Sequence, residues 1–275
     1  MSNIGKVAIA WHRDLSWTTT QRFLHGWKSS INLIVPYPSL ITTKIPSHVS
    51  IYDGRHAPEV QRALDKSEHL VDWSPDWGES WNTQQKWISN WKSKGKSSRK
   101  FTFLKKNKED NEDIETTLLT SFWMQRILEN PWKRMIQGGV LSLPLKNLDC
   151  VLYPLDVIDI ARGLETLLVQ PTGVYNLAGP EQLSWKDIGK CYAKNGHPVR
   201  LSSIPRWAAK PAMWMQGYSP EAIAAYLNTC AKMDAQWKED PAPFFEDGIP
   251  LKLSEMHTVG AFIKENREAW KESLK

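Results

Sequence analysis

Short apolar runs alternate along the chain with stretches whose apolar residues recur every three or four positions. Continuous runs rich in Val, Ile and Leu, closed by Pro, Gly or Ser, read as strands buried on both faces. The three-to-four spacing reads as amphipathic helix. Strands are expected at Val7–Ala10, Ile31–Val35, Val49–Tyr52, His69–Trp73, Lys100–Leu104, Thr116–Phe122 and Gly173–Leu177, with a further extended piece at Val140–Leu145. Helices are expected near Thr18–Trp27, Pro58–Leu64 and Glu79–Lys92, and from the end of the sixth strand to Leu128. Asp156 stands as a cap before an apolar face of Val157, Ala161, Leu164 and Leu168. Ser184 with Asp187 forms a capping-box pattern ahead of Ile188, Cys191 and Tyr192. From about Pro205 the chain reads as helical and rich in Trp, Met and Ala. Strands alternating with helices predict an α/β protein of βαβ units with a parallel sheet.

Composition narrows the picture. The 275 residues are 41% apolar and 24% charged, values of an ordinary globular chain. No apolar run approaches the roughly 18 residues that span a bilayer, and the first six residues lack the apolar stretch of a secretion signal. A cytoplasmic protein is therefore expected, without a membrane partner. Cys150, Cys191 and Cys230 show no paired spacing and read as reduced thiols. The net charge of +5 is partly local: Lys92, Lys94, Lys96, Arg99 and Lys100 form a run that Glu109, Asp110, Glu112 and Asp113 answer. No aromatics interleave that run, so it reads as a solvated helix end, and no nucleic-acid partner is expected.

Tryptophan changes the picture most. There are 15, and Trp73, Trp77, Trp81, Trp87 and Trp91 fall within one short stretch. The pairs Trp77/Trp81 and Trp87/Trp91 lie four residues apart, as core or surface filling on a helix requires. That spacing leaves the excess unexplained. An aromatic-walled pocket, whose ring faces hold a cation or a flat apolar molecule, is the alternative.

Val49-Ser-Ile-Tyr-Asp-Gly-Arg-His-Ala-Pro-Glu-Val-Gln-Arg-Ala-Leu64 and His69-Leu-Val-Asp-Trp-Ser-Pro75 resemble the third and fourth strand units of the NmrA-like atypical short-chain dehydrogenases. Thr117-Leu-Leu-Thr-Ser-Phe-Trp-Met-Gln125, Tyr153-Pro-Leu-Asp-Val-Ile-Asp-Ile-Ala-Arg162 and Gly173-Val-Tyr-Asn-Leu-Ala-Gly-Pro-Glu-Gln-Leu-Ser184 are similar to later segments of that family, and Phe262–Trp270 to its fungal secondary-metabolism branch, which includes ergot-alkaloid reductases. The resemblance implies a Rossmann-like doubly wound parallel sheet with a helical C-terminal substrate-binding segment. Residues 1–150 are read as a degenerate Rossmann-like domain. Residues 151–275 are read as the remaining strand and the covering helices of the same globular unit.

The family's machinery is absent from the residues. A dinucleotide needs glycines after the first strand, for a tight turn and for contact of the pyrophosphate with bare backbone. Those positions fall on Trp11, Asp14 and Trp17, and no glycine stands between Gly5 and Gly26. Pro36-Tyr37-Pro38-Ser39 replaces the expected ribose-binding acid or phosphate-binding arginine. None of the seven tyrosines is followed four residues later by lysine, so the usual redox pair is missing. No nicotinamide cofactor is expected. No metal is expected either, since the seven histidines show no ligand spacing.

Sites in open α/β sheets form at the carboxyl ends of the strands. The residues expected there are Trp11, His12, Asp14, Tyr37, Asp53, Asp72, Trp73, Lys105, Phe122 and Trp123. Trp77, Trp214 and Tyr218 are expected to complete an aromatic, substrate-binding chamber. Asp72 interrupts an apolar strand where the family has a hydrophobe; burial there would raise its pKa and make it a proton donor near neutral pH. Asp14 and Asp53 are the other candidate acids. The expected activity is an acid-promoted rearrangement or cyclisation of an aromatic, prenylated or alkaloid-like small molecule, such as epoxide opening or a pericyclic step. A non-catalytic NmrA-like regulator, and an NADPH-dependent reductase with an unorthodox cofactor pose, are the alternatives. The partner is a small apolar substrate, and a homodimer is compatible with the sequence.

Overall fold

The structure, a computed structural model, describes residues 6–10, 17–35, 38, 41, 44–72, 100–102, 116–120, 123–128, 132–168, 170, 173–218, 220–236, 251 and 253–268. The chain divides into two compact units. One comprises Met1–Thr120, Val157–Leu177 and Gly248–Leu251; the other comprises Ser121–Asp156, Ala178–Asp247 and Lys252–Lys275. The division expected at residue 150 is thus replaced by an interleaved one. Its cause is strand pairing: the last strand of the large sheet lies far along the chain.

The first unit holds β1 (Val7–Ala10), β2 (Ile31–Val35), β3 (Val49–Asp53), β4 (His69–Asp72), β5 (Lys100–Thr102), β6 (Thr116–Thr120) and β8 (Gly173–Leu177). They form one sheet in the order β3-β2-β1-β4-β5-β6-β8. Every pairing in it is parallel. Strands covered on both faces need continuous apolar sequence, and all residues of β1 and β2 are buried. Asn32 is the polar exception. Its amide donates to the Ala63 carbonyl at 3.0 Å and to Ser67 Oγ at 2.9 Å, tying β2 to the end of α2 (Ala57–Asp65). Val60, Ala63 and Leu64 of α2 pack with Ala8, Ile34, Tyr52 and Leu70. Helix α1 (Trp17–Gly26) runs close to α4 (Val157–Leu167), and a Cβ on Gly26 would come within 2.6 Å of the Ile158 carbonyl oxygen. Val157, Ala161, Leu164 and Leu168 are buried, as their spacing predicts.

The second unit has its own core. Helix α3 (Trp132–Gln137), which the periodicity leaves unread, leads through Gly139, at φ 71, into β7 (Val140–Leu143). β7 pairs in parallel with β9 (Arg200–Ser203), also unread in the sequence because its RLSS run has a single large apolar residue. Between them α5 (Trp185–Lys194) opens on the expected capping box: Ser184 Oγ accepts from Asp187 N–H, and the Asp187 carboxylate accepts from Ser184 N–H. Trp132 stacks on Trp185 at 5.3 Å between ring centroids, and Tyr226 meets Trp132 edge-on at 5.0 Å. Tyr226 belongs to α7 (Pro220–Gln236), which follows α6 (Arg206–Met215); α8 (Val259–Glu265) adds Phe262 and Ile263 to the same core. The expected helix ending at Leu128 is a 3-10 turn, Met124–Leu128.

Several tryptophans, Trp27, Trp132 and Trp185, are thereby explained as core filling. The Trp73–Trp91 run lies outside the described residues. All three cysteines are free; burial pushes the Cys150 thiol up to about 11 and Cys230 up to about 12. No helix among the described residues is long and apolar enough to cross a membrane.

Replacing Ser184 by Ala removes one side of the capping box and should lower unfolding stability by about 1 kcal/mol, read as a drop of a few degrees in Tm. Gly179→Ala should cost more, because its Cβ would land on the Pro154 carbonyl; a denaturation midpoint above that of Ser184→Ala would contradict the close approach.

Candidate functional site

β1 is the strand at which the winding of the sheet reverses. β2 and β3 are added on one side of it, and β4, β5, β6 and β8 on the other. A doubly wound sheet opens a crevice at such a reversal, outside the carboxyl ends of the two flanking strands. Asp72 is the last residue of β4, and its register partners are Ala10, the last residue of β1, and Thr102, the last residue of β5. The backbone thus carries this carboxylic acid to the reversal point. Leu70 and Val71 before it are buried, as is all of β1.

Asp53 ends β3, at the outer edge of the sheet. Three inter-strand steps separate β3 from β4, which at ordinary spacing is about 14 Å, so the fold does not bring Asp53 and Asp72 together. The Asp53 carboxylate is held by Arg55. The guanidinium donates through Nη2 at 2.7 Å and Nε at 3.0 Å, and the Arg55 backbone N–H donates at 2.9 Å. These bonds hold the Asp53 pKa down at about 2. A carboxyl so held is an anion at neutral pH and has no proton to donate, which removes Asp53 from the acid candidates. Its partner two residues on is readable in the sequence as an Asp-x-Arg pair, yet its importance emerges only once the turn brings both side chains to one place.

Trp123 is half-buried and makes an isolated parallel bridge to Leu155 in the second unit. Beside it in sequence, Gln125 Nε2 donates to Asp156 Oδ1 at 2.8 Å; both side chains are fully buried. The sequence reads Asp156 only as a cap, and nothing in Gln125 signals the pairing. Tyr218 packs against the second unit's core, and the Arg134 guanidinium lies 5.7 Å from its ring centroid. Trp214, expected to line a chamber, is 70% exposed. α6 turns Ala209 and Met213 to the core and leaves Trp214 in solvent, because the inward face of the helix is the one with small and flexible side chains. Trp11, His12, Asp14, Tyr37, Trp73, Trp77, Lys105 and Phe122 lie outside the described residues.

A dinucleotide on this architecture is gripped where β1 turns into the first helix, by backbone that glycines leave bare. Here β1 stops at Ala10 and α1 opens on a half-buried indole, Trp17, with no glycine among the six residues between. The described glycines whose Cβ would collide with backbone under 3.0 Å, Gly26 and Gly179, serve packing elsewhere. The sequence between β1 and α1 thus supplies none of the bare glycine backbone that grips a pyrophosphate in its ordinary pose.

The Asp53–Arg55 pair makes a pH prediction. Because the folded pKa is depressed below the ordinary 3.8, the pair's contribution is complete above that value and is lost as pH falls towards about 2. Arg55→Ala should therefore flatten the loss of stability across that interval, measured as urea midpoint against pH, and the difference should shrink in high salt. Parallel curves for the two proteins would show the pair to be energetically idle.

Neither a protein-family model nor a curated protein sequence matches the chain. Solved structures do. The NADPH-dependent quinone oxidoreductase QOR2 of Escherichia coli, complexed with NADPH, superposes with a TM-score of 0.67 at 13% identity, covering 94% of this chain and 99% of that one. The Citrobacter sp. triphenylmethane reductase, complexed with NADP(H), gives 0.65 at 10% identity with the same coverages. A nucleoside-diphosphate-sugar epimerase from Staphylococcus aureus gives 0.61 at 12% identity, again over 94% and 99%. At such identities the likeness is one of fold: the chain has the Rossmann-like parallel-sheet architecture that these reductases and epimerases share.

Proposed function

We propose that the protein is a cytosolic enzyme of secondary metabolism, built on an NmrA-like reductase scaffold, that works without a nicotinamide cofactor. Its reaction is an acid-promoted rearrangement or cyclisation of an aromatic, prenylated or alkaloid-like substrate, such as epoxide opening. The observation that carries this reading is the placement of Asp72 at the reversal point of the sheet, in register with Ala10 and Thr102. It is supported by the lack of glycine between β1 and α1, which takes away the room a hydride carrier needs.

The chemistry is redox-neutral. The Asp72 carboxyl gives its proton to the epoxide oxygen, the C–O bond breaks, and positive charge develops on carbon. Migration or ring closure follows, and the Asp72 carboxylate recovers a proton from the rearranged cation. The product is an isomer of the substrate, and no reductant is consumed. Indole faces would offer the cation a stabilising quadrupole. Asp14 is the reserve acid.

A second reading, reductase activity with the cofactor in another pose, is favoured by one observation: two of the fold relatives are complexed with NADP(H) or NADPH. Calorimetric titration with NADPH at millimolar concentration separates the readings. No saturable heat is expected; micromolar affinity would sink the cofactor-independent proposal.

Incubation with candidate pathway intermediates in the absence of nicotinamide should give isobaric products by mass spectrometry. Asp72→Asn, which keeps the shape and removes the acid, should lower turnover by about 100-fold or more while its thermal melt stays close to parental. Parental turnover in a normally folded Asp72→Asn protein moves the role to Asp14, tested in the same way. If both variants retain full activity, the acid mechanism is wrong and catalysis rests on shaping of the substrate within an aromatic chamber.

A further inference from the structure

Most large apolar side chains that the described residues leave in solvent belong to one helix. Trp207 is 79% exposed, Trp214 70% and Met215 78%, and all three lie on α6, Arg206–Met215. Trp207 and Trp214 are seven residues apart and fall within about 20° of one line along the helix. Lys210 and Pro211, both exposed, stand between them. The opposite side of the helix, Ala209 and Met213, is buried. α6 therefore carries its larger apolar surface outward, the reverse of an ordinary surface helix.

Charge restricts what can cover this face. Between Asp187 and Glu221 the chain has no acidic residue and five cations, Lys190, Lys194, Arg200, Arg206 and Lys210. All five are exposed. Lys190 pairs with Asp187 and Arg206 with Asp234. Lys210 sits within the aromatic stripe itself, where its alkyl stem can lie along the indoles while the ammonium reaches past them. Tryptophan and methionine side chains with an interleaved lysine on one convex helix face match an interface between apolar acyl chains and anionic headgroups.

A second copy fits less well. Around a two-fold axis the Lys210 side chains would approach one another. Two tryptophans at about 150–250 Å² each, with Met215, fall short of the roughly 800 Å² that each partner of a stable dimer buries.

We propose that the Trp207–Met215 face of α6 is a peripheral docking surface for anionic lipid bilayers. The protein would rest on the headgroup layer through its tryptophans, with no spanning segment, and Lys210 would select negatively charged lipid. Hydropathy along the sequence does not report such a surface, because it needs no long apolar run. This proposal does not depend on the reaction assigned to Asp72.

Co-sedimentation of the full chain with vesicles of phosphatidylcholine alone, and of phosphatidylcholine mixed with phosphatidylserine, tests it. Binding is expected to the mixed vesicles and should weaken with added salt. W207A/W214A should lower the partition coefficient by about tenfold or more. K210E should abolish the preference for anionic vesicles, whereas K66E, the same charge change on the exposed C-cap lysine of α2 in the other unit, should bind as the parent does. Thermal melts of the variants confirm folding. Failure to bind either vesicle, or parental binding by a folded W207A/W214A protein, overturns the proposal. So does light scattering that shows a concentration-dependent dimer abolished by W207A/W214A, which would make the face a contact between copies.

Discussion

Parallel pairing of β4 against β1 is the constraint on which the site depends. Parallel strands exchange hydrogen bonds with both neighbours, and every strand but the two outermost must be covered on both faces. The winding therefore runs outward from β1 in two directions. Doubly wound sheets open their crevices at such a reversal, and the residue that ends β4 beside β1 is a carboxylic acid. In the fold relatives complexed with NADP(H) or NADPH, the same architecture serves a dinucleotide. Between β1 and α1 the sequence of this chain has no glycine.

Buried polar groups hold the strands and turns in place without adding reactive acids. Asn32 ties β2 to α2, Gln125 donates to Asp156, and Asp159 accepts from Arg162 at 3.1 Å. Each satisfies a group that would otherwise be costly to bury. The Asp53–Arg55 pair lies at the edge of the sheet with its arginine exposed, and it fixes Asp53 as an anion. Carboxylates that look alike in the sequence are thus separated by their partners: a guanidinium neighbour removes an acid from consideration, and a terminal place on a buried strand keeps one in.

Tryptophan divides into two populations with different physical roles. Trp27, Trp132 and Trp185 fill core volume, and Trp132 and Trp185 stack with an edge-on tyrosine. Trp207 and Trp214 are exposed on a helix that also carries Lys210. Contiguous exposed aromatic surface is the kind that marks interaction sites.

The sequence by itself determined what depends on near neighbours. Continuous apolar runs place the strands of the large sheet within one or two residues. The Ser184–Asp187 spacing announces the capping box, the three-to-four spacing of Val157, Ala161 and Leu164 announces the buried face of α4, and the residues after β1 show that a glycine cradle is missing. Tertiary structure decided what depends on distant partners. β9 is a strand only because β7, 60 residues earlier, pairs with it, and the Ser142 and Ser202 hydroxyls also bond across that pair. The two units interleave because β8 completes the sheet beside β6. α6 shows its tryptophans to solvent because Ala209 and Met213 fit the second unit's core, a choice between two apolar faces that periodicity alone leaves open.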